Sequence, residues 1–333
     1  MSICKPARRR CLPLAAVALA IGLMSGALVT VSGDQAYSQT RTIRLVDPDP
    51  PGGLADLLAR ILAEEISREQ GATIVVENRP GAASVIGTEA VARAAPDGTT
   101  LLLNATPFVI NPLLRKLNYD PLTSFTPICY LVNSPTVIAV NGASPYRTLA
   151  DLVNAAREKP GELTLASIGP GTATHIAFEM LRSAAKVDMT FVPYPGTAPA
   201  VTALLGGHVT SYFGIYSVVS EQMKAGRLRA LATAAPTRIE PLPDIPTVAE
   251  QGFPGYEVDI WFGVVAPAKT PQVIVTQLAS WFTAAMQAPE VKAKLVAQGM
   301  LPVTTCGERF GAHIRKQYDE FGRVIREANI KAE

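Results

Sequence analysis

Two prolines followed by two glycines, Pro50-Pro51-Gly52-Gly53, stand between an apolar strand-like run and a helix-period segment that starts at Leu54. Glycines let the backbone approach a ligand closely, and the amides of a first helical turn have no intrahelical acceptor and face outward with the positive end of the helix dipole. The chemistry offered is anion binding, and a carboxylate suits it. Read without a ligand, the same four residues are a tight strand-to-helix connection. Two other places repeat the arrangement: Tyr194-Pro195-Gly196-Thr197-Ala198-Pro199, and Gly169-Pro170-Gly171-Thr172 with Thr174 close behind. Ligands of open α/β sheets lie at the carboxyl ends of strands, so loops of this design from two lobes can converge on one small anion.

The elements that must position these loops are set by periodicity. Leu54, Leu57, Leu58, Ile61, Leu62 and Ile66 recur at spacings of three and four, which predicts a helix ending at Gly71. Strands are expected at Thr73 to Val76, Thr99 to Leu103, Leu163 to Ser167, Met189 to Val192, Leu228 to Thr233 and Ile260 to Val265. Thr148 suits the N-cap of a helix through Glu158. Further helices are expected at Ala173 to Ala185, Ala198 to Leu205, Gln272 to Gln287 and Glu308 to Glu327. Short apolar runs alternating with helices indicate an α/β fold with largely parallel sheets.

The N-terminal segment reads as an export signal. Lys5 and Arg8 to Arg10 form a basic region, Leu12 to Val31 are almost wholly apolar or small, and Ala36-Tyr37-Ser38 offers a cleavage point after Ser38. An uncleaved membrane anchor is the alternative, since the apolar run is long enough. The formal charge of the chain is +2; Lys5, Arg8, Arg9, Arg10 and Asp34 together carry +3, which leaves the chain from Gln39 near −1. No basic surface is implied, so nucleic acid is not an expected partner. Cys4 and Cys11 leave with the signal. Cys129 and Cys306 remain; their spacing predicts no bridge, and two separately buried thiols are expected.

Catalytic signatures are absent. There is no Gly-x-Ser-x-Gly elbow, His-Glu-x-x-His, Cys-x-x-Cys or P-loop, and no dinucleotide fingerprint comes after the first strand. Ser167, His175 and Asp188 could form a triad on paper, but the loop joining the first two is one of the anion loops. No catalytic residue, metal or cofactor is expected.

A series of segments carries a family resemblance: IRLVDPDPPGGLADLLAR, VVENRPGAASVIGTEAVARAAPDGTTLL, INPLL with YDPLTSFTPI, LTLASIGPGTATHIAFEML, VPYPGTAPAVTALLGG, GRLRALA with LPDIPTVAEQGFPGYE, and WFGVVAPAKTP. In this order and number they resemble the Bug-type extracytoplasmic solute receptors of tripartite tricarboxylate transporters, which are type II periplasmic binding proteins. The resemblance implies two lobes, each a mostly parallel sheet flanked by helices, joined by two crossing strands. Lobe 1 is expected at 39–130 and 257–333, lobe 2 at 131–256, after a signal peptide at 1–38. It implies capture of a small organic carboxylate (a dicarboxylate, aromatic acid, or amino or hydroxy acid) and its delivery to membrane permease subunits in the periplasm. A receptor presenting its closed form to a membrane sensor is the alternative, and a hydrolase is less favoured.

Carried over by motif, the ligand contacts are Pro51, Gly52, Gly53 and Thr106 in the first lobe. In the second they are Ser167, Gly169, Thr172, Ala173, His175, Tyr194, Gly196 and Thr197. His175 has a structural reading beside the ligand one, and Trp261 and Phe262 read as core or hinge packing. The sequence departs from the family pattern at Asp47, at Asp49 in place of a frequent aromatic, at Pro195 in place of a common lysine, and at Gly214 and Ile215 in place of Asp-Asn. Asp49, Gly214 and Ile215 are therefore candidates for ligand selectivity. Asp49 either points to solvent and stiffens its turn, or faces the cleft and accepts from a donor on the ligand.

Overall fold

In the computed structural model the described residues are residue 1, residues 42–169 and residues 171–331. The expectations about the signal segment, Cys4, Cys11 and Pro170 lie outside them. All the elements named below belong to the unit formed by residues 41–333.

Strand β1 (Thr42–Asp47) buries Ile43, Leu45 and Val46 and feeds α1 (Leu54–Gln70), whose Leu58, Ile61, Leu62 and Ile66 pack on the sheet. Gly71 ends α1 in the left-handed conformation, φ +65°, with its amide on Ser67 O at 3.2 Å. Then come β2 (Thr73–Asn78), α2 (Val85–Ala92), β3 (Thr100–Ala105), α3 (Pro107–Leu114) and β4 (Phe125–Ser134). After Pro135 the chain continues as β5 (Thr136–Asn141) and α4 (Leu149–Glu158). Thr148 caps α4 as expected, its Oγ accepting from Asp151 N at 3.1 Å while Asp151 accepts from Thr148 N at 2.9 Å. The chain goes on through β6 (Thr164–Ile168), α5 (Ala173–Ala185), β7 (Thr190–Tyr194), α6 (Thr197–Leu205), β8 (Ser211–Ile215), α7 (Tyr216–Lys224) and β9 (Leu228–Thr233). It closes with β10 (Ile260–Pro267), α8 (Gln272–Gln287), α9 (Pro289–Ala297), β11 (Leu301–Cys306) and α10 (Glu308–Glu327).

Two sheets result, ordered β11-β4-β10-β3-β1-β2 and β7-β6-β8-β5-β9. Both are mixed, which corrects the expectation of mostly parallel sheets. β1 runs parallel to β2 and β3, and β6 parallel to β7 and β8, because helices make those crossovers. β10 is antiparallel to β3 and β4, β11 to β4, and β5 to β8 and β9. The antiparallel set includes the strands that carry the chain from one sheet to the other, β4 into β5 and the return at β10; they enter from outside the local βα winding. Trp261 and Phe262 of β10 are core residues, 0% and 5% exposed.

Cys129 and Cys306 are register partners in the β4–β11 pair and form a disulfide. This corrects the expectation of two separate thiols. Strand pairing brings together residues 177 apart in sequence, a proximity that spacing along the chain does not encode.

Candidate ligand-binding site

The parallel strands set their carboxyl ends on one side of each sheet, and the loops after β1, β3, β6 and β7 hold the expected contacts. In the first loop Gly52 takes φ +87°, open to glycine, whereas Gly53 has an ordinary extended backbone, φ −81°. The Gly52 amide donates to Asp56 Oδ2 at 3.0 Å. Arg60 grips the same carboxylate through Nε at 3.0 Å and an Nη at 2.8 Å, which holds the Asp56 pKa down at about 2. The chain's own carboxylate thus occupies one of the expected anion donors. Among the described residues the amides of Gly53 and Leu54, and behind them those of Ala55 and Asp56 in the first turn of α1, donate to no protein group.

Asp47 is fully buried and accepts from Asp49 N at 3.0 Å and Asn78 Nδ2 at 3.1 Å; burial pushes its pKa up to about 7. Asp49 turns inward, half-buried, and its Oδ1 accepts from Ser84 Oγ at 2.6 Å. Ser84 ends a run of four residues with positive φ, Gly81, Ala82, Ala83 and Ser84, of which the three that are not glycine each cost on the order of 1 kcal/mol. Asn111 Nδ2 holds the run by donating to Ala83 O at 2.7 Å. Gly87 lets α2 lie against the first loop, since a Cβ there would sit 2.9 Å from Pro48 Cα.

Between these segments is a cavity of about 10 Å³ bounded by Pro48, Asp49, Ser84, Asn104, Ala105 and Pro107, room for about one water or one small polar group. Asn104 is 1% exposed, and neither its Oδ1 nor its Nδ2 has a partner. The Thr106 hydroxyl, equally buried at the start of α3, is also unpartnered. Asn104 and Ser84 were not anticipated; the signal for Asn104 was a lone amide in the otherwise apolar strand TLLLNA.

The second lobe sorts its candidates differently. Ser167 is fully buried and its hydroxyl donates to Phe213 O at 2.8 Å, so it fastens β6 to β8. Gly169 donates to Tyr194 O at 3.2 Å, which sets Tyr194, Gly196 and Thr197 beside the 169–172 loop, and nothing stands within 4 Å of where its Cβ would be. Thr172 caps α5, accepting from His175 N at 3.3 Å and donating to Gly169 O at 2.9 Å. His175 accepts from Gly171 N through Nδ1 at 3.1 Å, stacks on Phe191 with ring centroids 4.3 Å apart, and burial lowers its pKa. It is a neutral ring that shapes the loop. Ala173 is buried with Ile176 among Phe108, Val109, Phe310 and Ile314 of the first lobe. A Cβ on Gly171 would stand 2.9 Å from Leu114 of α3. The loop before α5 therefore abuts the first lobe. Gly214 is required by packing, because a Cβ there would overlap the Tyr212 hydroxyl; Ile215 is half-buried just before α7.

A larger hollow of about 560 Å³ lies elsewhere, between α5, residues 252–256 and the end of α10. Its charges are closed within their own helices, Arg182 on Glu179 at 2.7 Å and Arg323 on Glu327 at 3.5 Å. It has neither the open amides nor the unpartnered side chains of the loops.

The model of the tripartite tricarboxylate transporter family receptor matches residues 58–330. Protein BugT of Bordetella pertussis is 34% identical over 296 residues, covering 87% of this chain and 90% of that protein. The periplasmic binding protein BugD superposes with a TM-score of 0.71 at 34% identity, over 89% of this chain and 100% of that one. Rpa4515 of R. palustris, solved with adipate, gives a TM-score of 0.74 at 32% identity, over 88% and 99%. Together with the two-lobed α/β fold, these matches show that the chain belongs to the tripartite tricarboxylate transporter receptor family of periplasmic solute-binding proteins, and that it is a receptor and not an enzyme.

Proposed function

We propose that the chain captures a small organic carboxylate between a first lobe, residues 39–130 and 257–333, and a second, residues 131–256, and hands it to a membrane permease of the tripartite type. The observation that carries the carboxylate reading is the group of unpartnered amides, Gly53 and Leu54 foremost, at the positive end of α1. A relative solved with adipate supports it. The ligand is held by these amides and the Thr106 hydroxyl from one side and by the loops at Gly169, Thr172 and Gly196 from the other. Export by a cleavable signal at residues 1–38 fits the basic, apolar and small-residue order of that segment.

The inward Asp49 and the unpartnered Asn104 favour an acid that also bears a hydroxyl, amide or amino group, because a plain dicarboxylate can accept from Asn104 Nδ2 but offers no donor to Asp49 or to Asn104 Oδ1. Thermal shifts with succinate, adipate, terephthalate, nicotinate, glutamate and a hydroxy acid test both levels. At least one carboxylate should stabilise the protein and be recovered chemically unchanged. Asp49→Asn should cut the preference for donor-bearing acids about tenfold, about 1.4 kcal/mol. No stabilisation by any acid removes the carboxylate reading, and an unchanged ranking in the variant removes Asp49 from selectivity.

A further inference from the structure

The chain passes between the sheets twice, at Ser134-Pro135-Thr136 and at Val258-Asp259-Ile260. Ser134 and Ile260 are register partners in the first sheet. Beyond them, Thr136 Oγ1 donates to Val258 O at 2.7 Å, and Val258 N donates to Ala234 O at 2.9 Å on the side of the second sheet. Asp259 is thus the single residue between the last hydrogen bond to one sheet and the first pair of the other. Its Oδ2 accepts from Asn133 Nδ2 at 2.8 Å, which laces one crossing to the other at the pivot.

Around that bond lies an unusual collection of buried polar atoms without partners. They are Asp259 Oδ1, Asn133 Oδ1, Ser134 Oγ and Trp261 Nε1 from the crossings, and His313 Nε2 and Gln317 Oε1 from α10. Asn133, Trp261 and the α10 groups share the face of the first sheet that α10 covers, whereas Ser134, paired with Ile260, belongs to the opposite face. Trp261 pairs with Asn133 across the ladder, the His313 ring lies 4.6 Å from that of Tyr130, and it meets Trp261 edge-on at 5.5 Å. Buried donors and acceptors are normally satisfied, so this concentration at a pivot calls for something that completes it. The charged and titratable groups around Asp259 are Tyr130 from β4, Glu257 two residues upstream, and His313, Lys316 and Glu320 from α10. Lys316 Nζ binds Glu257 at 2.7 Å. The second sheet contributes the neutral hydroxyls of Thr136 and Thr233.

We propose that Asp259 is a proton-binding site built into the pivot, whose carboxyl is buried in its neutral form while the lobes are in contact and whose ionisation draws water between the two crossings and parts them. The inference rests on the two-lobe receptor reading. The Asn133 bond favours the charged form, but Asp259 is 6% exposed and its Oδ1 has no partner, so burial opposes ionisation unless water reaches that oxygen. Burial and the neighbouring Glu257 charge raise the Asp259 pKa to about 8. Because this is above the ordinary carboxyl value, the proton favours the arrangement in which Asp259 is buried at acid and neutral pH, and the preference is lost as pH rises through about 8. Burial lowers the His313 pKa to about 4 and raises that of Tyr130 far above neutrality, so neither titrates in the same window.

The test needs no ligand, so it stands apart from the carboxylate reading. The chain has two tryptophans, and Trp281→Phe leaves Trp261, inside the patch, as the sole reporter. Its emission, followed with small-angle scattering from about pH 6 to about 9.5, should change with a midpoint near 8 while the radius of gyration rises. Asp259→Asn should abolish both changes. Glu257→Gln, which removes the charge that opposes ionisation, should keep the transition and move its midpoint down, and this variant decides the matter if Asp259→Asn does not fold. Flat emission across the range, the same transition in Asp259→Asn, or an unmoved midpoint in Glu257→Gln overturns the proposal.

Discussion

Replacing both Cys129 and Cys306 by alanine should cost the fold about 3–5 kcal/mol, because the bridge closes a loop of 177 residues and so constrains the unfolded chain strongly. In a protein of this size that corresponds to a fall in Tm of roughly 5–8 °C. The loss has a structural side as well. β11 is the edge strand, its pairing with β4 shifts register between Pro302 and Thr305, and Thr304 within it takes φ +53°. The disulfide fastens this irregular strand and, directly after it, the start of α10. Urea melts of the double variant measure the cost. A loss under about 1 kcal/mol would mean that the ladder alone holds the edge. Carboxylate affinity should stay within about threefold of the native protein, since the bridge lies away from the loops.

Gly53→Val should weaken carboxylate binding by at least about 100-fold, or about 2.7 kcal/mol, while leaving the fold intact. A hydrogen bond to a charged acceptor contributes about 1.5–3 kcal/mol, and a branched side chain at this position also crowds the approach to the Leu54 amide. The backbone at Gly53 is one that valine adopts, and a Cβ there meets only Pro50 O at 3.7 Å, so the change carries no strain. Gly52→Val makes the useful contrast. Its φ of +87° belongs to glycine, and that variant should lose about 1–3 kcal/mol of stability. Calorimetry with the acid that stabilises the protein most, alongside circular dichroism, separates the two. Near-native affinity in Gly53→Val would reduce the first loop to a connection.

Local signals carried most of the elements. Thr148 and Gly71 mark the ends of α4 and α1 where capping chemistry puts them, and the helices at Ala173–Ala185, Gln272–Gln287 and Glu308–Glu327 keep to their apolar period. The strands β4, β5, β8 and β11 and the helices α2, α3, α7 and α9 are not among the expected elements, and for α2 and α3 the reason is local. α2 is entered through left-handed alanines and a serine that no local preference favours, and α3 is two turns long, starts on Pro107 and contains Pro112. Strand direction was misjudged because the antiparallel pairs arise from where the chain re-enters each sheet, and no residue type encodes that. The disulfide is a pairing across the same ladder.

At the site, the glycines were legible as chemistry and the side chains were not. The motif pointed to Gly52 and Gly53 alike, but only the neighbouring Asp56 decides that the Gly52 amide is already occupied. Ser167 looked like a ligand hydroxyl, and its bond to Phe213 shows that it joins strands. Gly214 stood out as a departure from the family, and its cause is the Tyr212 hydroxyl two residues away on the same face of β8. Asn104 escaped because a single amide in an apolar strand acquires meaning only when its partners prove to be missing.

Closure over the ligand is tested most directly by small-angle scattering of the protein with and without a saturating concentration of the best-binding carboxylate, binding being verified in the same buffer by calorimetry. Donors supplied by loops of both sheets reach one ligand together only when the lobes meet, so ligand should lower the radius of gyration and shorten the longest interatomic distances. Superposable profiles alongside saturated binding would contradict a closing two-lobed receptor.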